Sequence, residues 1–63
     1  MTPRECEILT LFASGYPRYA DVATHLGISE HTVKAHMRNA YIELRARNRE
    51  HAIAEAMRKG HIE

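Results

Sequence analysis

The sequence is poorly equipped for a disulfide framework, a membrane span or a β-sheet. It has one cysteine, Cys6, in 63 residues, so no internal disulfide can form, and a lone thiol beside Ile8 and Leu9 reads as a small core or boundary residue rather than a redox centre. Its apolar runs are a few residues long, far short of the roughly 18 to 20 that cross a bilayer, and nothing resembles a signal peptide. The chain therefore reads as cytoplasmic, with no membrane partner. No segment alternates apolar and polar β-branched residues, so no sheet is expected. Paired carboxylates, a nucleophile beside a base and a phosphate-cradling glycine loop are all missing, and a chain this short leaves little room for a substrate pocket, so no enzyme is expected. The five histidines, His25, His31, His36, His51 and His61, include no i, i+4 pair and no cluster with Cys6; neither a metal nor another cofactor is expected.

What remains is one small domain, residues 1–63, with a small core and modest stability. Its net charge is only +1, but that charge is unevenly placed. Residues 29–49 carry Lys34, Arg38, Arg45, Arg47 and Arg49 against Glu30 and Glu43, a net +3, while the segments on either side each net −1. Such a concentration fits a polyanion-binding face as well as a solvated helix.

Local signals predict four helices. Thr2, Pro3 and Glu5 form a capping box with proline at the first helical position; Ile8, Leu9, Phe12 and Ala13 then share a face, and Gly15 supplies the stop. Tyr16, Pro17 and Arg18 make the connection, because proline biases its predecessor away from helix. The second helix runs from Tyr19 to Leu26, turns Val22, Ala23 and Leu26 inward, and ends at Gly27. Ser29 caps a third, in which Val33, Met37, Ala40 and Leu44 form one stripe reaching Leu44 or Arg45. Asn48 caps the fourth, with Ala52, Ile53, Ala56 and Met57 as its apolar members and Gly60 as its end.

The spacing of Val22, Ala23, Leu26, Gly27, Ile28 and Val33 is that of a helix-turn-helix. Ala23 is small where two helices approach, Gly27 can take positive φ in the tight turn, and Ile28 and Val33 fill the angle between the helices. On the outer surface of the third helix, His31, Lys34, Ala35 and Arg38 share a face rotated away from the Val33 stripe. Lysine and arginine donate to guanine N7 and O6, and Ala35 allows close approach and can touch a thymine methyl. At the amino end, Ser29 and Thr32 offer hydroxyls and backbone N–H groups to phosphate. His36 reads as a boundary residue, and Tyr16, Tyr19 and Tyr41 as packing residues, since duplex readers seldom stack on bases.

The segments TPRECEIL, VATHLGISEHTVKAHMRNAYIEL and RNREHAIAEAMRKGHI, which together span nearly the whole chain, resemble the LuxR/GerE-type family of bacterial transcription regulators. The resemblance implies an all-α, four-helix fold with the third helix as recognition helix and the fourth used for dimerisation. It implies base contacts from Lys34, Ala35 and Arg38, to which the shared face adds His31. It also implies phosphate contacts from Thr32 and Arg49, with Ser29 and Arg47 beside them, and dimer contacts from Glu50, Ile53, Ala54 and Met57. The tripeptide Arg38–Asn39–Ala40 and the closing AMRKGHI are most similar to the branch that includes quorum-sensing receptors. Three features depart from the family pattern. The stretch GYPRYADVA is one residue longer than usual, which puts the usual contacts from the start of the second helix in question. Glu43 stands where a lysine is common, and Ala46 stands where a glycine is common, so that Ala46 either lengthens the third helix or stiffens the turn after it.

The function implied is sequence-specific binding of double-stranded DNA, at an inverted-repeat operator and as a homodimer, with RNA polymerase as a further partner and a nucleoid-associated location in a bacterial cell. The rival is a helical protein-interaction module of the anti-activator type that keeps the fold without DNA contact. A complete small regulator and a regulator trimmed of a sensor or receiver domain both fit a pattern that begins at Thr2.

Overall fold

A computed structural model describes all 63 residues as four helices, α1 (Pro3–Ala13), α2 (Tyr19–Leu26), α3 (Glu30–Leu44) and α4 (Arg49–Arg58), with no strand. Three of the four starts are fixed by a side chain that satisfies an otherwise orphaned backbone N–H. The Thr2 hydroxyl accepts from Glu5 N–H while Glu5 accepts from Thr2 N–H, closing the capping box. Ser29 accepts from Thr32 N–H at 3.0 Å, and Asn48 from His51 N–H at 2.8 Å. The start of α2 has no side-chain cap; Pro17 and the extended Arg18 mark it instead.

All four helices close with the same device. The residue after the last turn takes a left-handed backbone, and two reversed hydrogen bonds gather the final carbonyls, as in a Schellman ending. After α2, Ile28 N–H donates to Ala23 O and Gly27 N–H to Thr24 O; after α3, Ala46 N–H donates to Tyr41 O and Arg45 N–H to Ile42 O. The same pairing recurs at Tyr16 and Gly15 after α1, and at His61 and Gly60 after α4. The left-handed residues are Gly15, Gly27 and Gly60, which are all the glycines in the chain, and Arg45 at φ 54°. Glycine adopts this conformation freely, whereas a side chain there opposes it by roughly 1 to 2 kcal/mol. The residues that follow, Tyr16, Ile28 and Ala46, turn back onto the core. Of the two roles open to Ala46, lengthening α3 is excluded, because the helix ends at Leu44 and Ala46 stands in the turn after it; the place in this turn that suits a glycine is Arg45, one residue earlier.

The core is built around α3, which packs against each of the other three helices. Val33, Met37, Ala40 and Leu44, the stripe at four-three-four spacing, are buried together with Ile8, Leu9, Phe12, Val22, Ala23, Ala52 and Ala56. The buried alanines Ala23, Ala52 and Ala56 let short helices approach closely where larger side chains would hold them apart. One expectation needs correction. Ala13 is exposed, at the rim of a shallow notch of about 180 Å³ between the ends of α1 and α4. The buried face of α1 instead includes Glu5, whose carboxylate bonds back to Thr2 N–H as part of the cap. Ile62, beyond α4, is also buried and closes the core from below. Cys6, Leu26 and Ile53 are half-buried at its edge.

Candidate nucleic-acid interface

The helix-turn-helix consists of α2, the turn Gly27–Ile28–Ser29, and α3. Because Val33, Met37, Ala40 and Leu44 hold one side of α3 against the core, the opposite side is rotated outward as a whole. His31, Lys34, Ala35 and Arg38 are all exposed there. None of the four makes a side-chain hydrogen bond or ion pair within the chain, so their donors and apolar surfaces are free. One further residue belongs to this face and was missed by the sequence reading. Ile42, 70% exposed, lies four residues beyond Arg38 and about half a turn from the core stripe. Its spacing from Arg38 is the signal that could have found it.

The amino end of α3 is ordered by its own cap. The Ser29 and Thr32 hydroxyls share a 2.8 Å hydrogen bond, in addition to the bond from Thr32 N–H to Ser29. Ser29 is exposed and Thr32 half-buried, at the end where the helix dipole favours an anion.

Aromatic contacts position the cations at the edges of this surface. Lys34 Nζ sits 6.0 Å from the centroid of the Tyr19 ring; Tyr19 meets Phe12 edge-on at 5.4 Å; and the Arg49 guanidinium covers Phe12 at 4.5 Å. Tyr19 and Tyr41 share a hydrogen bond between their hydroxyls at 3.2 Å. Burial, reinforced by that bond, pushes the Tyr41 hydroxyl well above the usual phenol range, so Tyr41 stays neutral. Tyr16, the third tyrosine, contacts His25, its hydroxyl 3.0 Å from Nδ1. All three thus engage neighbouring side chains.

Between α3 and α4 the exposed Arg47 uses its backbone N–H to donate to His51 Nδ1 at 3.2 Å, tying the turn to the first turn of α4. Arg45 is exposed and without a side-chain partner. Glu43 lies 3.1 Å from the α-ammonium group of Met1, whose hydrogen bond holds its carboxyl below the usual range. On α4, Ala52 and Ala56 face the core, while Glu50, Ala54 and Met57 are exposed and Ile53 is half-buried, so the four form a strip along the outer edge of the helix.

Residues 1–56 match the family of bacterial regulatory proteins described as luxR family, GerE. Among curated relatives, the chain is 46% identical over 57 residues to the transcriptional activator protein CarR of Pectobacterium carotovorum subsp. carotovorum, which covers 90% of the chain and 23% of that protein. It is 44% identical over 62 residues to the HTH-type quorum sensing-dependent transcriptional regulator RpaR of Rhodopseudomonas palustris, covering 98% of the chain and 25% of that protein. The chain thus spans about a quarter of the length of these relatives. The solved structure of the transcription factor GerE superposes with a TM-score of 0.92 at 36% identity, over 100% of this chain and 92% of that one. Sequence, fold and the exposed cationic side of α3 agree: the chain belongs to the luxR family of bacterial regulatory proteins and forms its four-helix, helix-turn-helix domain.

Proposed function

We propose that the chain binds double-stranded DNA sequence-specifically and regulates transcription, with α3 in the major groove. The observation that carries this reading is the outward face of α3, where Lys34, Ala35 and Arg38 are exposed, unpaired and flanked by His31. Lys34 and Arg38 donate to base edges, Ala35 permits close approach, and Ser29, Thr32, Arg47 and Arg49 hold phosphates on either side. A groove-facing helix needs this combination of cations to read and a small residue to approach. The similarity to regulators such as CarR and RpaR supports the same reading, and the latter supports placement in the quorum-sensing branch.

On DNA the domain forms a homodimer through Glu50, Ile53, Ala54 and Met57. One short helix buries little area, so the free domain is mainly monomeric at micromolar concentration and pairs on an operator, where two half-sites raise the effective concentration. The operator is an inverted repeat with half-site centres about 10 to 10.5 base pairs apart. The bacterial cytoplasm, at the nucleoid, is the compartment this activity requires, and RNA polymerase is the partner a bound activator would touch.

Selection from a random duplex library tests the proposal. Enrichment of an inverted repeat, with log K falling by about 4 per subunit for each unit of log salt, is expected if four or five phosphates are engaged. A library that enriches nothing, with no salt-dependent binding to random duplex, would overturn it in favour of a protein-interaction module.

A further inference from the structure

Arg45 is the one residue in the chain with a side chain and a left-handed backbone, at φ 54°. The other three helices end on glycine in the same hydrogen-bonded turn. Its side chain does nothing within the fold that would favour arginine there: it is exposed and makes no hydrogen bond, ion pair or aromatic contact. The turn accounts for the left-handed backbone but not for the arginine carried on it, since glycine would close the same turn without strain, and so the side chain points outward, to a ligand.

The position of Arg45 identifies the ligand's chemistry. It follows Lys34 by three helical turns, and its Cα falls within about 20° of Lys34 around the α3 axis, on the side that also carries Arg38. It lies about 16 Å further along that axis, more than the roughly 12 Å width of the major groove. Where α3 crosses the groove, a cation that far beyond Lys34 lies past the base edges and beside the bordering phosphate chain, on the side where Arg47 and Arg49 are proposed to hold phosphate. The nearest carboxylate in sequence, Glu43, makes no ion pair with it.

We infer that Arg45 is a DNA phosphate contact at the carboxyl end of the recognition helix, occupying a position whose backbone favours glycine. The inference rests on the DNA-binding reading of α3. It assigns Arg45 an affinity role without sequence discrimination, because a phosphate is the same at every base pair.

The test uses the 63-residue chain and a fluorescein-labelled random-sequence duplex of about two helical turns, followed by anisotropy across a salt series, with thermal melts of each variant. Arg45→Gly and Arg45→Asn remove the charge and suit the left-handed backbone; Arg45→Lys keeps the charge. Both neutral variants should melt several degrees higher than the parent, since about 1 kcal/mol moves the melting point of a domain this size by roughly 4 to 8 °C. They should also bind about eightfold more weakly at 0.1 M salt, with the salt slope reduced by about 0.9, whereas Arg45→Lys should bind like the parent. Opposite signs in stability and affinity are what a strained ligand contact produces. Neutral variants that melt lower would make Arg45 a structural residue, and unchanged affinity and slope in them would make it a solvated one; either result overturns the inference. If the parent itself shows no salt-dependent binding, the DNA reading of α3 fails first and this assignment fails with it.

Discussion

The Arg49 guanidinium lies over the ring of Phe12, 4.5 Å from its centroid, so the first residue of α4 is anchored on the last buried residue of α1. Phe12 meets Tyr19 edge-on, and Tyr19 in turn lies beneath Lys34. Two cations proposed to contact DNA thus bracket two aromatic rings, and the core residue Phe12 helps to orient the positive surface. A guanidinium over a ring keeps its N–H edges free, so packing and phosphate contact are compatible in one side chain. Arg49→Ala should lower stability by about 0.5 to 1 kcal/mol and reduce the salt slope of DNA binding by about one. Thermal melts and anisotropy measure the two effects separately; a lower melting point with an unchanged slope would assign Arg49 to packing alone.

Lys34→Ala and Arg38→Ala should each weaken binding to the selected operator by about 1 to 3 kcal/mol, the range of a good base contact. Both side chains are exposed and unpaired, so circular dichroism should remain that of the parent. Loss confined to the selected sequence, with random duplex less affected, would identify base reading. Unchanged operator affinity in both variants would remove α3 from the major groove.

Ala54 is exposed on the outer strip of α4 and contributes nothing to the monomer core. Ala54→Glu places like charges across a two-fold axis without opening a cavity. Cooperative binding to an operator with two half-sites should be lost while the melting point is kept. Met57, 45% exposed on the same strip, gives that surface its apolar character. Full cooperativity in the variant would mean that the dimer is built elsewhere or does not form.

Tyr41 supplies a pH dependence whose sign follows from its environment. Its folded hydroxyl ionises later than the ordinary value of 10.0 because burial opposes the phenolate. A group raised in the folded state contributes stability that is complete below the unfolded value and is lost as pH rises from there towards the folded one. The parent should therefore lose melting temperature above about pH 10, with tyrosinate absorbance from Tyr41 appearing only on unfolding. Tyr41→Phe should flatten that alkaline loss, at the cost of about 0.5 to 1.5 kcal/mol near neutrality for the missing bond to Tyr19. An alkaline melting profile identical to the parent's would show that Tyr41 is not its source.

Helix boundaries were legible in the sequence because the signals that set them act within a few residues. Thr2, Ser29 and Asn48 cap through bonds three residues long, Pro17 restricts its immediate neighbour, and the three glycines close the turns in which they stand. The core stripe of α3 was legible for a related reason: a fixed helical period converts the spacing of Val33, Met37, Ala40 and Leu44 into one buried line, and so turns Lys34, Ala35 and Arg38 outward. Other features depend on which elements meet. Ala13 shares a helical period with the buried face of α1 yet is exposed, while Glu5, at i, i+3, i+4, i+7 spacing with Ile8, Leu9 and Phe12, is buried although a charged residue ordinarily stays in solvent. Arg49 and Phe12 are far apart in sequence and touch only because α1 and α4 pack together. The left-handed backbone fell on Arg45 rather than Ala46 because Ala46 packs against the core and the chain must turn one residue before it. The sequence by itself determined where each helix starts, its inward side and the cations opposite; the tertiary structure decided which of those cations rest on rings and which one is held in strain, because such contacts exist only once separate helices share a core.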